Sequence, residues 1–515
     1  MSNRRQFIGS AFAFSAGSLI PGWPLWAAAA ADSTANTASA NAATVAGPLA
    51  AKGLSGETVS LSEADIKDFR ASLRGQLLLA QDEGYDQARR LWNGAFDRHP
   101  ALIARCTGAA DVVQAVNFAR SHRLLTAVRG GGHSISGQSS CDGGLMIDLS
   151  PLKGIRVDPH RTTAYAQSGV LLGELDRETQ AFGLVTPLGT AADTGIAGLT
   201  LGGGQGRLSR KLGLSCDNVL SVDIVTADGK LLHASEQENP DLFWAIRGGG
   251  GNFGIVTTFE YRLHPLAGKV LAGNRVFPFK QARTILPALR EYCAQAPDEM
   301  SISAALTLDA PGVPRGQYIV FEAVYCGNPS DGEKVLAPLD KLGKPLFDNI
   351  TAKSYVQAQL GLSGASPAPL PPGLNVYVKS GFLRSLPDGL IDTSVQRFES
   401  APSWVGVLGF GQLGGAMSRV KPAATAYWNR MAQYDLIFNG FWMDRAQDQQ
   451  NLKDGRAFWS AFEPFTEGFY VNTEPAADEK RLRATYGDNF PRLVEIKKKY
   501  DPINLFRLNA NIKPA

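Results

Sequence analysis

Apolar positions along the chain alternate between helical and strand spacing. From Ala110 to Arg123, Val112, Val113, Val116 and Phe118 suit a helix, and Leu124–Val128 reads as a strand that runs into a glycine turn. Leu145–Leu149 is the next strand. Ile155–Val157 and Thr163–Gln167 flank Asp158-Pro159 and predict a hairpin; Leu171–Phe182 has helical periodicity ending at Gly183. Val222–Thr226 and Leu231–Ala234 flank Ala227-Asp228-Gly229-Lys230, whose Asp-Gly suits a tight turn. A short helix, Pro240–Ile246, precedes the β-rich run Ile255–Leu263.

Beyond Pro265 the pattern changes to longer segments. Ser301–Leu308, Tyr318–Cys326, Val405–Gln412 and Leu436–Trp442 read as strands, and Gln281–Ala294 and Gly332–Leu342 as helices. That alternation predicts a second lobe with an antiparallel sheet. Ser363–Gly373, rich in Pro, Ala and Gly, reads as a loop within it. The chain is therefore expected to be α+β. A length of 515 residues agrees with more than one core.

The first 60 residues stand apart. Arg4-Arg5 precedes a weakly apolar run from Phe7 to Trp26, followed by small residues, which resembles a twin-arginine export signal over residues 1–31. Pro21, Gly22 and Pro24 interrupt the run and argue against a membrane anchor. Residues 32–60, rich in Ala, Ser and Thr, read as a linker. The expected location is the periplasm or outside the cell, reached through the twin-arginine translocation machinery.

A net charge of +3 provides no basic stripe for nucleic acid, so a small-molecule partner is expected. The five cysteines and six histidines show no metal-ligand spacing, and no metal site is expected.

Three glycine-rich segments fall within about 130 residues of one lobe. The first is Arg129-Gly130-Gly131-Gly132-His133-Ser134. The second runs from Gly189 to Gly198 and continues as Leu201-Gly202-Gly203-Gly204-Gln205-Gly206. The third, Gly249-Gly250-Gly251-Asn252-Phe253-Gly254, satisfies GxGxxG but lies between a helix and a strand, the reverse of a Rossmann turn. Glycine loops free backbone N–H groups to hold an extended anionic ligand, and a dinucleotide suits all three.

These runs, with Phe243-Trp244-Ala245-Ile246-Arg247, Tyr470-Val471-Asn472, Tyr486-Gly487-Asp488-Asn489-Phe490 and Lys499-Tyr500-Asp501-Pro502, resemble the berberine bridge enzyme-like FAD-linked oxidases. These are PCMH-type, or vanillyl-alcohol oxidase-like, flavoproteins. The resemblance implies a two-lobed PCMH-type FAD-binding domain at 61–268, an inserted substrate domain at 269–464 built on an antiparallel sheet flanked by helices, and a C-terminal segment at 465–515 completing the FAD lobe.

It further implies FAD bound covalently through His133, with Arg129, Gly130, Gly131, Gly132, Ser134, Gly195, Gly198, Gly203, Gly204, Gly249, Gly250, Asn252, Gly254, Val256, Tyr470 and Asn472 about the cofactor. Many relatives carry a second flavin-linking cysteine where this chain has Ala191, so a single tether is expected. Thr194 occupies a position that in the family helps control oxygen access.

The implied activity is oxidation of an alcohol or amine by hydride transfer, with O2 or another electron acceptor. The base is expected from the substrate sheet, near Phe410–Gly415 or Thr425–Arg430. No carboxylate lies in either run, which leaves Tyr427, Gln412 and Tyr470 as the catalytic candidates. A dehydrogenase with a non-oxygen acceptor and a non-enzymatic periplasmic binding protein are the alternatives.

Overall fold

The computed structural model describes residues 47–266, 268–360, 373–474 and 478–515. The twin-arginine segment and nearly all of the Ser363–Gly373 loop lie outside the described residues. Part of the expected linker does not: Leu49–Lys52 and Thr58–Leu61 form an antiparallel hairpin. Ala51, Leu54 and Leu61 are buried with Val112 and Val116. A strand needs only alternate apolar positions to seat on an existing core, so a run poor in large side chains can still fold.

In the first lobe, helix Ala109–Ser121 connects strands Leu102–Arg105 and Thr126–Arg129, and Leu145–Asp148 lies parallel between them. Leu145–Asp148 is buried at every position, as a central parallel strand covered on both faces must be. A second sheet runs Leu231–Ser235, Val219–Val225, Ile255–Arg262, Thr163–Gln167, Ile155–Asp158, all antiparallel. Phe469, Leu482, Tyr486, Phe490, Leu493 and Ile496 from the end of the chain enter this lobe's core.

The second lobe is built on an eight-stranded sheet whose pairings are all antiparallel. Lys269–Pro278, Tyr318–Tyr325, Met300–Thr307, Val405–Gln412, Tyr434–Trp442 and Asn375–Leu383 are adjacent in that order. Lys269–Pro278 and Asn375–Leu383 were absent from the sequence pattern. Helices Ala282–Gln295, Pro329–Asp340, Asp388–Glu399 and Asp448–Trp459 cover one face.

Strand alternation assigns Leu306, Leu408, Leu436 and Phe438 to the helix layer. Burying each such side chain contributes about 1.5–3 kcal/mol, which fixes the register, because a slip of one residue would expose the whole set. The opposite face is turned to the first lobe. It carries Ser303, Gly411 and Asp435.

Candidate active site

Between the glycine loops of the first lobe lies a cleft of about 250 Å³. Gly130, Gly131, Gly132, His133 and Ser134 line one wall, Gly195, Gly198 and Thr194 a second, and Gly250, Gly254 and Val256 a third. Tyr470 and Asn472 close it from the C-terminal segment. The first two loops cross at Gly131 and Gly195, where a Cβ on Gly131 would stand 2.6 Å from the Gly195 backbone. Only glycine at both positions permits that approach.

His133 stands at the end of the first loop with its side chain 9% exposed. Its ring stacks on Trp92, with centroids 4.5 Å apart and planes at 22°, and the Trp92 amide donates to the Gly132 carbonyl at 2.9 Å. Nε2 has no hydrogen-bond partner and stands 3.6 Å from Asp193 Oδ1, which is also buried and unpartnered. Burial lowers the imidazole pKa, only partly opposed by the Asp193 charge, so the ring is neutral and nucleophilic.

Several expected cofactor residues stand behind the wall. Arg129 is turned to Asp148, its Nη1 at 3.1 Å from the carboxylate. Gly203 packs beneath Tyr427 and Gly204 against Ser215, so these two glycines accommodate protein side chains. Gly249 accepts from Asn252 Nδ2 at 2.8 Å, and that amide also holds Ala510 O at 3.2 Å and the Ile512 amide at 3.0 Å. Asn252 thus fastens the chain's tail to the third loop. Leu508, Asn509 and Ala510 of that tail line the cleft, a contribution that sequence motifs did not signal.

A second cavity, about 70 Å³, lies between the lobes. It shares Leu199, Tyr470 and Thr473 with the first, so the two are contiguous. Its floor is a single row across the sheet: Glu322 pairs with Ser303, Ser303 with Gly411, and Gly411 with Asp435. The Glu322 carboxylate is held by Arg207 at 2.6 Å from the first lobe. Among the described residues, Asp435 is paired with no such cation. Burial pushes its carboxyl up to about 7, opposed by its own amide and that of Gly411. The carboxylate lies over Gly411, where a Cβ would stand 2.1 Å from Oδ1.

The three residues expected as bases are placed otherwise. Gln412 lines the second cavity beside Gly411, but its side-chain Nε2 donates to Cys293 O at 3.0 Å, toward the helix layer. Tyr427 is buried, accepts from Gln205 Nε2 at 2.8 Å, and burial raises its phenol well above 10. Tyr470 does line both cavities, but its oxygen accepts from the amides of Gly204 (3.1 Å) and Gln205 (3.2 Å) and from Asn472 Nδ2 (2.9 Å). Burial pushes it up to about 12, so it orders the wall and takes no proton at neutral pH.

The first cavity fits FAD. Its walls are backbone of three glycine runs, and a Cβ at Gly198 or Gly251 would meet nothing within 4 Å. Fold and cleft together define a two-lobed flavoprotein.

A family model described as FAD binding domain matches residues 100–235, and one described as berberine and berberine-like matches 469–513. An FAD-linked oxidoreductase of Dictyostelium discoideum is 33% identical over 455 residues, covering 87% of this chain and 97% of that one. The (R)-6-hydroxynicotine oxidase of Paenarthrobacter nicotinovorans is 30% identical over 457 residues, covering 86% and 97%. Among solved structures, 6-hydroxy-D-nicotine oxidase of Arthrobacter nicotinovorans superposes with a TM-score of 0.78 at 28% identity, covering 86% of this chain and 99% of that one. This chain belongs to the berberine bridge enzyme-like family of FAD-linked oxidoreductases. It is an enzyme, and the non-enzymatic alternative is set aside.

Proposed function

We propose that this flavoenzyme oxidises a small-molecule alcohol or amine, with FAD tethered covalently through His133 alone and O2 as the acceptor, giving H2O2. The reading rests above all on the Glu322–Ser303–Gly411–Asp435 row opening onto the glycine-lined cleft. When bound, FAD supplies a two-electron acceptor for the substrate's hydride.

The protein handles the proton. Asp435, ionised above about pH 7 and facing the cavity, accepts it from the substrate's hydroxyl or amine. Gly411 leaves room for that carboxylate, and Ser301 and Ser303 offer hydroxyls to the substrate's polar groups. Arg207 neutralises Glu322 and so leaves a single charge-bearing acceptor on the floor. The lobes meet around Leu199, Tyr470 and Thr473 and limit water there.

His133 as sole tether is supported by its place in the cleft and by Ala191, a side chain unable to form a second bond. Export through the twin-arginine route follows from Arg4-Arg5 and the apolar run after it, and suits a protein loaded with its cofactor before transport. The five buried cysteines are free thiols, so nothing in the fold depends on an oxidising compartment.

The test is a panel of alcohols, sugars and cyclic amines, with peroxide release under air and reduction of a dye without oxygen read in parallel. Peroxide is the expected product; dye reduction without peroxide marks a dehydrogenase. After acid precipitation the protein should stay yellow, and His133→Ala should yield a colourless pellet. A colourless wild-type pellet would overturn the covalent link.

A further inference from the structure

We infer that Asp193 is the positioning residue and proton acceptor for attachment of the flavin to His133. The inference rests on the covalent link proposed above and concerns how that bond forms. Two complementary groups, His133 Nε2 and Asp193 Oδ1, stand 3.6 Å apart, each buried and each without another partner. A buried donor and acceptor left unsatisfied destabilise the fold, and a small rotation of the carboxylate joins them. Trp92 restrains the imidazole plane by stacking, so the approach falls to Asp193.

The loop makes that approach possible. The Ala192 carbonyl accepts from the Gly173 amide at 2.9 Å, the Thr194 carbonyl accepts from the Leu172 amide at 2.9 Å, and Gly195 abuts Gly131. Asp193 is thereby held against the end of the first glycine loop. It belongs to the Gly189–Gly198 segment in which Ala191 takes the place of the second tether, so that segment supplies a carboxylate to the remaining one.

The chemical consequence follows from tautomerism. A hydrogen bond from Nε2–H to Asp193 leaves the lone pair on Nδ1. The new bond joins Nδ1 to the 8α methyl carbon of FAD. One 8α C–H bond breaks and releases its proton, the Nε2 proton passes to Asp193, and two electrons remain on the flavin ring. Dissolved O2 takes up those two electrons and two protons as H2O2 and returns the ring to its oxidised state. The carboxylate also offsets the positive charge that develops on the imidazole as Nδ1 bonds, the role such a partner has beside any reacting histidine.

The experiment follows attachment itself. Full-length protein produced in riboflavin-starved cells is mixed with FAD under air; bound flavin is measured before acid precipitation, and covalent flavin by fluorescence of the denatured band. Wild type should convert its bound FAD to the covalent form. Asp193→Asn should bind the same amount and attach it about 100-fold more slowly. Asp193→Glu should restore most of the rate.

Attachment in Asp193→Asn at the wild-type rate would overturn the role of Asp193 and leave His133 in place. Loss of FAD binding itself in Asp193→Asn, with no change in the covalent share of what remains, would also overturn it, because it marks a structural residue. Wild-type flavin that stays soluble in acid, or His133→Ala flavin that does not, locates the failure in the tether and not in Asp193.

Discussion

Asp435 shows how one side chain sets activity and stability against each other. Its carboxyl is raised to about 7 by burial, from the usual value near 4 of an unfolded chain. The folded protein therefore holds the proton more tightly than the unfolded chain does. Stability associated with this group is complete below about pH 4 and declines as the pH rises through 7. In the proposed reaction the ionised form accepts the substrate's proton, so activity and the cost to stability should appear over the same pH range. Asp435→Asn should lower kcat by about 100- to 10,000-fold while leaving FAD content unchanged. It should also raise the stability at pH 8 by on the order of a few kcal/mol, and Tm with it, and leave Tm at pH 4 nearly unaltered. Thermal melts at the two pH values check this, and an equal effect at both would refute the titration.

At the scale of elements, the floor of the inter-lobe cavity depends on register. Glu322, Ser303, Gly411 and Asp435 share a row because four strands align there, and each strand's alternate residues are sealed beneath helices. Gly411→Ala retains the register and the core but places a methyl group where the Asp435 carboxylate lies. We expect kcat to fall about 10- to 100-fold, with FAD content and Tm close to wild type. A crystal structure or a shifted pH profile would show the displaced carboxylate.

The same alternation explains what was legible from sequence. The glycine loops and His133 stand out because their residue types are unusual and local, and the change to longer apolar segments beyond Pro265 shows in the pattern itself. Asp435 was missed because the strand was expected to begin at Leu436, while pairing extends it to Tyr434. Tyr427 and Gln412 were chosen by type within the right region. The face each occupies follows from partners more than 100 residues away, Gln205 for one and Cys293 for the other.

On the scale of the whole molecule, the cofactor cleft is completed only when the last residues return to it. Leu508, Asn509 and Ala510 line it, while Leu505 and Phe506 are buried against the first lobe. Lys497 organises this return. Its ammonium, buried with Asp501 at 2.6 Å, also donates to Asn252 O at 2.7 Å and Phe506 O at 3.0 Å, so one side chain joins the C-terminal helix, the third glycine loop and the tail. Asp501 in turn accepts from the amides of Leu505 at 2.7 Å and Phe506 at 2.9 Å.

Lys497→Met removes the cation and leaves a buried carboxylate with amide donors only, a change that costs about 3–5 kcal/mol. Adding Asp501→Leu removes the stranded charge, yet it also strands the Leu505 and Phe506 amides, so the double variant should recover only part of the loss. Because the tail lines the cleft, the flavin environment should respond with it. Flavin fluorescence during heating should rise at a lower temperature in Lys497→Met than in wild type, with the double variant between them. A double variant less stable than Lys497→Met would mean that Asp501 serves the tail chiefly through its amide contacts and not through the ion pair.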